Sequence, residues 1–305
     1  MNNILITTSS FSLDYKNKPE IKNKNLNFVL NPYKRKLTQD EAISLINEYQ
    51  PVGMIAGVEP LTLEVLKIAQ NLKVISRCGI GLNSVDLDAA KQYGITVTNT
   101  PDAPTKAVAE LTVALILNLI RHINISDRSI RDNNWERPMG NLLHGKTVGI
   151  IGCGRIGRYV AKLLQSFECN LLGYDIMLPA NITDSTLSLL TLDELLSLSD
   201  IVSLHIPYSN DNDTFLNTER IGRLQKHSLI INTARGGLID EDELYDALIN
   251  SRIAGAAIDC FNEEPYTGKL SQLKNVVLTA HIGSYAKEGR MLMEEQALNN
   301  LLNYL

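Results

Sequence analysis

Three charged residues of this 305-residue chain stand at one kind of place. Arg235 follows the apolar run LIINTA, Glu264 follows AAIDCFNE, and His281 follows VVLTA. Such runs read as buried strands, and in an open parallel sheet the C-terminal strand ends line the ligand crevice. A guanidinium there suits an anionic ligand. An imidazole can take or give a proton near neutral pH, and a carboxylate beside it favours its charged form. Taken singly, Arg235 also fits a surface arginine, Glu264 a solvated loop acid before Pro265, and His281 a satisfied core histidine. Together, beside the motif described next, they point to one site, because titratable groups at strand ends cluster where chemistry happens.

That motif is VGIIGCGRIG, which sets Gly152, Gly154 and Gly157 in GxGxxG spacing between an apolar strand and the helix-like RYVAKLLQSF. The first glycine permits the tight turn, the second lets the backbone approach a pyrophosphate, and the third allows close helix packing. Amide groups at the helix start then meet the phosphates. The spacing alone is a weak signal. Its weight comes from the next strand, LLGYD, which ends at Asp175, 23 residues after Gly152 and placed to accept bonds from ribose hydroxyls. Ile176 and Met177 follow instead of an arginine, so a 2′-phosphate would meet a carboxylate and no cation. NAD is expected over NADP.

The elements that must carry these groups form two series. From residue 1 to about 98, short β-like runs (NILIT, VGMIAG, LKVIS, ITVTN) alternate with helix-like segments, the pattern of a parallel sheet covered by helices. The two prolines of TPDAPT mark a break, and a long helix is expected from about Thr105 to Ile130. A second series runs from KTVGIIG to NVVLTAH, and its six strands match a doubly wound nucleotide-binding domain. The last helix, from Ala286 on, cannot stand alone and must pack back on another part of the chain.

Composition narrows the function further. A formal net charge of −5 with no long basic run argues against nucleic-acid or anionic-lipid partners. LTVALILNLI is broken by Thr112 and Asn118, and the N-terminus lacks a basic leader, so neither a membrane span nor a signal peptide is expected. Cys78, Cys153, Cys169 and Cys260 lie far apart without metal-binding spacing, which suggests free thiols in a reducing cytoplasm and no metal.

The ordered series RCGIG, NTPDAPTKAVAE, GCGRIG, LHIPYSND, NTARGGLIDEDEL, AIDCFNEEP and TAHIGS resembles the D-isomer-specific 2-hydroxyacid dehydrogenase family across nearly the whole chain, most of all its short phosphoglycerate dehydrogenase-type members. The resemblance implies two doubly wound parallel α/β domains. One is a flavodoxin-like substrate domain from residues 1–99 plus 285–305, and the other a Rossmann NAD-binding domain from 100–284. By the same resemblance Arg235 anchors the substrate carboxylate, while Glu264 pairs with His281, which exchanges a proton with the substrate hydroxyl. Asp259 would bond the nicotinamide carboxamide, although a cap or turn role also fits it. Thr233 and Ala234 would lie by the nicotinamide ribose, Arg155 and Ile156 at the pyrophosphate, and Pro207 at the adenine. His205 and Gly283 complete the implied cofactor shell. Arg77, Cys78, Gly79 and Ile80 would meet the substrate carboxylate from the other domain, with Cys78 a small packed residue and not a nucleophile. Closure about Asn99 to Pro104 and Gly283 to Ala286 would exclude water.

Departures from the family pattern bear on the substrate. Asn83 and Ser84 replace the usual Asp-Asn, Pro104 stands where many members carry Asn, and AGVEP offers Glu59 where phosphoglycerate enzymes often use arginine. Hydroxypyruvate or glyoxylate reduction is therefore an alternative to phosphoglycerate dehydrogenase-like activity, and an NAD-sensing corepressor-like binding protein a further one. Formate dehydrogenases pair their histidine with glutamine, and Glu264 argues against that reading. The end at Leu305 leaves no regulatory domain in view, so serine feedback is not expected. A homodimer is implied by resemblance, with Trp135 either on its surface or an anchor within the chain.

Overall fold

The computed structural model of the chain describes residues 2–14, 21, 25–177 and 186–305. They form two compact units, Met1–Pro104 with Tyr285–Leu305, and Thr105–Ser284. The turn from Asn99 to Pro104 belongs to the first unit.

In the first unit β1 (Asn2–Ile6), β2 (Leu26–Leu30), β3 (Gly53–Ala56), β4 (Val74–Arg77) and β5 (Thr96–Thr98) make one sheet in the order β2-β1-β3-β4-β5. Every pairing is parallel, and the order is that of flavodoxin-like folds. Strand β2 escapes the sequence pattern because LNFVL lies at the sheet edge, where no residue of it is fully buried. The helix Lys287–Asn303 completes this unit, its Met293, Ala297, Leu298 and Leu301 packing with Ile4, Ile6, Ile55 and Val74.

The second unit carries β6 (Thr147–Ile151), β7 (Asn170–Tyr174), β8 (Ser188–Leu189), β9 (Ile201–Leu204), β10 (Leu229–Asn232), β11 (Gly255–Ile258) and β12 (Val276–Leu278). Their order, β12-β11-β10-β9-β6-β7-β8, is the doubly wound dinucleotide-binding order with one strand added beyond the last, all parallel. The expected six strands are thus seven: β8 spans two exposed residues, too short to give a sequence signal. Strands β9 and β11 are buried throughout, as expected where helices cover both faces.

The long helix expected from Thr105 to Ile130 is two helices, Thr105–Arg121 and Ile123–Arg131, bent by 66°. His122 makes the break with a left-handed backbone, φ 53°. No single helix among the described residues is long and apolar enough to cross a membrane. Trp135 is 82% exposed, as are Met139 at 91% and Leu142 at 70%, so Trp135 is no anchor within the chain.

Candidate active site

Strand β6 runs into Gly152, whose φ of 96° is left-handed and whose added Cβ would lie 2.6 Å from the backbone of His205. Two independent constraints therefore require glycine there. A Cβ on Gly157 would fall 2.0 Å from the Gly152 carbonyl, so the helix Arg155–Gln165 can approach the strand only without it. Around Gly154, the exposed residue that opens this helix, a Cβ would meet nothing within 4 Å. That open space above an 11-residue helix start is what a pyrophosphate needs, and Arg155 and Ile156 form the first turn beneath it. Asp175 accepts from the Cys153 amide at 2.7 Å and the Met177 amide at 2.9 Å, which holds its carboxylate at the end of β7 beside the glycine turn.

His205, one residue past β9, shares a bond of 2.9 Å between Nε2 and Ser203 Oγ, and its Nδ1 is buried. Burial pushes its pKa down to about 3, so the ring is neutral. Pro207 is exposed and its carbonyl accepts from Asn212 Nδ2 at 2.7 Å. The residues present thus fit a dinucleotide along the ends of β6, β7 and β9.

Strands β10, β11 and β12 are neighbours, so the turns after them share one edge. After β10, Asn232 accepts from the Ala234 amide at 3.0 Å and donates to the Arg235 carbonyl at 2.8 Å, a closed turn that presents Arg235. The half-buried Arg235 guanidinium donates to the Ala234 carbonyl at 2.6 Å. Thr233 is held from behind by Thr112, hydroxyl to hydroxyl at 2.9 Å. After β11, Glu264 accepts from the Phe261 amide at 3.2 Å and faces His281, each carboxylate oxygen 3.0 Å from Nδ1. With Nδ1 turned to the carboxylate, Nε2 is the ring atom left to meet a substrate. Burial raises the pKa of the Cys260 thiol beyond the ordinary range, reinforced by Asp259 and Glu264 and opposed by Arg235.

Asp259 is fully buried, and both its oxygens accept bonds from the chain: Oδ1 from Thr279 Oγ1 at 2.6 Å and the Ile282 amide at 2.8 Å, Oδ2 from the Gly283 amide at 2.9 Å. Asn232, Thr112 and Thr279 are site residues the motifs did not single out. Their signal is only that a polar residue ends or faces an apolar run.

In the first unit, residues 77–80 turn at the end of β4. The Cys78 amide donates to the Ala56 carbonyl at 2.9 Å and the Gly79 amide to Thr100 Oγ1 at 2.8 Å. Ile80 is steadied through its carbonyl by Asn99 Nδ2 at 2.7 Å. The Arg77 guanidinium folds over Gly79 and donates to the Cys78 carbonyl. Burial pushes the Cys78 thiol up to about 11, which excludes a thiolate nucleophile near neutral pH. Glu59 is buried, accepts from the Thr7 hydroxyl and from the Gly57 amide at 3.2 Å, and its pKa is raised by burial against the pull of Thr7 and Arg77. A cation therefore does stand near the end of β3, supplied by Arg77 of the neighbouring strand.

Residues 113–283 match the family described as D-isomer specific 2-hydroxyacid dehydrogenase, NAD binding domain. A hydroxypyruvate reductase of Thermotoga maritima is 38% identical over 260 residues, which cover 83% of this chain and 84% of that protein. The chain belongs to the D-isomer-specific 2-hydroxyacid dehydrogenase family. A D-3-phosphoglycerate dehydrogenase of Methanocaldococcus jannaschii is 38% identical over 259 residues, and there the chain spans 49% of the relative's length. Among solved structures, a D-lactate dehydrogenase from Aquifex aeolicus complexed with NAD and lactic acid aligns with a TM-score of 0.82 and 27% identity, covering 98% of this chain and 94% of that one. This dehydrogenase is thus an NAD-dependent oxidoreductase of two parallel-sheet α/β units, with its NAD-binding domain in the second unit.

Proposed function

We propose that Arg235, Glu264 and His281 are the catalytic residues and that the dehydrogenase interconverts a small D-2-hydroxy acid and its 2-keto acid, with phosphoglycerate dehydrogenase-like specificity. The observation that carries this reading is the His281–Glu264 pair past the ends of β12 and β11, the second of which lies beside β10, the strand that leads to Arg235. Bound NAD(H) supplies the hydride exchange at the substrate C2. Arg235 binds the substrate carboxylate through its fork of N–H donors. His281 holds the exchanged proton at Nε2, gives it to the forming hydroxyl in reduction and takes it back in oxidation. Glu264 keeps the ring oriented and favours its charged form.

The glycine turn Gly152–Gly157 with Arg155 and Ile156 would hold the pyrophosphate, Asp175 the adenosine ribose, His205 and Pro207 the adenine side, and Thr233, Ala234, Asp259 and Gly283 the nicotinamide side. The first unit would be the substrate domain, with Arg77 and the backbone of Cys78, Gly79 and Ile80 as substrate contacts. Hydroxypyruvate or glyoxylate reduction is the second reading, favoured by the buried acid Glu59 beside Arg77. A panel of 2-keto acids with NADH and NADPH tests both. Phosphohydroxypyruvate turning over fastest sustains the first reading, hydroxypyruvate or glyoxylate the second. No turnover with any of them would overturn the enzyme assignment in favour of an NAD-sensing binding role.

The homodimer belongs to the same proposal: Ile130, Trp135, Met139 and Leu142 are exposed along one stretch of chain, and a second copy would cover them. A cytoplasmic location is supported by four cysteines without disulfides.

A further inference from the structure

We propose that Asp259 and Thr279 are positioning residues that set the pose of His281, so that Asp259 acts on proton transfer through the His281 loop. The inference rests on the reading of His281 as the proton carrier. It begins with backbone register. Ile258 pairs with Leu278 across β11 and β12, so Asp259 and Thr279 are the next residues on each strand, side by side. The ladder continues through them: the Asp259 amide donates to the Asn232 carbonyl at 2.9 Å, and the Thr279 amide to the Ile258 carbonyl at 3.0 Å. Each is thereby an extension of a rigid strand.

Immediately beyond, the chain reverses. The His281 amide donates to the Thr279 carbonyl at 3.0 Å, and His281 takes φ 51°, a left-handed conformation disfavoured for a residue with a Cβ. Such a conformation persists where its surroundings over-determine it. Here the surroundings are one carboxylate. The Thr279 hydroxyl donates to Asp259 from before His281, and the Ile282 and Gly283 amides donate to it from after. Three donors bracketing His281 on a single buried acceptor fix the peptide planes on both sides of it. They fix with them the direction in which its side chain leaves the backbone.

Gly283 makes the approach possible, since a Cβ there would stand 3.1 Å from Asp259 Oδ2. The acid that orients the ring, Glu264, descends from the same strand end as Asp259, five positions later. His281 and its partner are thus referenced to one point. Arg235 is tied to the neighbouring strand by Asn232, the residue whose carbonyl receives the Asp259 amide. Among the described residues no donor to Asp259 comes from a side chain that itself carries charge, so its bonds serve the loop and not an ion pair.

The test compares Asp259→Asn, Thr279→Val, Thr279→Ser and His281→Ala in the full-length protein. The measurements are kcat, KM for the keto acid, the pH profile of kcat/KM, and NADH affinity by fluorescence titration. In Asp259→Asn an amide N–H₂ must face a donor that the carboxylate accepted, and loosening by a fraction of an ångström lowers kcat about tenfold or more. Thr279→Val removes one donor and lowers kcat less, about threefold to tenfold, while Thr279→Ser restores it to within about twofold. In both damaged variants the limb of the pH profile that reports His281 moves, because its contacts with Glu264 and its distances from Arg235 and Asp259 change. In Thr279→Val and Thr279→Ser, which alter no proposed cofactor contact, NADH affinity stays within about twofold of the parent.

Lost NADH affinity in Thr279→Val with the pH limb unmoved would overturn the proposal, since the Asp259–Thr279 bond would then serve the cofactor and not the His281 loop. An unchanged kcat and pH profile in Thr279→Val would also overturn it, whether or not Asp259→Asn folds. A fully active His281→Ala would instead remove the proton-carrier reading beneath it. The two failures are distinct, because a failed clamp leaves His281→Ala inactive.

Discussion

At the ends of β10, β11 and β12 in the second unit, the groups presented are side chains, and each turn is closed by a polar residue that ends the strand or directly follows it: Asn232, Asp259 or Thr279. At the end of β4 in the first unit, what is presented is a backbone turn around Gly79, and the closing bonds come from Thr100 and Asn99 further along the chain. The contrast follows from the chemistry proposed for each. A proton carrier needs a particular side chain held at a particular angle. A carboxylate is recognised by N–H groups, which any sequence with the right turn can offer. One region depends on residue identity at the contact, the other on residues that shape a backbone.

Variants can break or sharpen that contrast, beginning with the largest effect. Replacing His281 by Ala should lower kcat by about 10²- to 10⁴-fold, the range for removing a general acid–base, with NADH binding retained in a fluorescence titration. Arg235→Lys keeps the charge and loses the planar fork, and should lower kcat/KM for the keto acid by about tenfold to a hundredfold in steady-state assays. In the first unit Thr100→Val takes away the side-chain acceptor of the Gly79 amide, leaving only the Arg77 carbonyl at 3.0 Å. It should raise KM for the keto acid about fivefold with kcat little changed, the scale of a single hydrogen bond. An equal loss from Thr100→Val and His281→Ala would erase the distinction between the two regions.

The smallest effect concerns stability at the cofactor end of the second unit. Folded His205 titrates at about 3, against 6.5 for a free histidine, so between those values the unfolded chain binds the extra proton. This contribution is complete above pH 6.5 and is lost as pH falls toward 3, by about 2 kcal/mol at pH 5. Urea unfolding monitored from pH 7.5 to 4.5 should show the decline, and His205→Gln should flatten it.

How much of this was legible beforehand varies with the kind of signal. The glycine spacing of 152–157, the acid at 175, and the triplet 235, 264 and 281 are signals of residue identity at fixed places, and their positions could be read directly. Strand β8, with two residues, and the edge strand β2 carry too little buried apolar surface to show a period. The break at His122 was hidden because apolar spacing continues across it, while φ 53° at that residue is a backbone property that residue type does not announce. Trp135 was ambiguous for a related reason: a large aromatic fits an interior or a surface, and only its 82% exposure decides.

By itself the sequence determined the chemistry available to this dehydrogenase: which groups can bind a dinucleotide, hold a carboxylate and move a proton, and that alternating strands and helices must bring them to sheet ends. Tertiary structure alone decided how those groups are held. Parallel register set Asp259 beside Thr279, though 20 residues separate them along the chain. The same register turned the acid's oxygens toward the backbone on both sides of His281. The physical reason is that hydrogen-bond partners across a sheet are chosen by strand order and register, which depend on the packing of the whole unit and not on the residues near either partner.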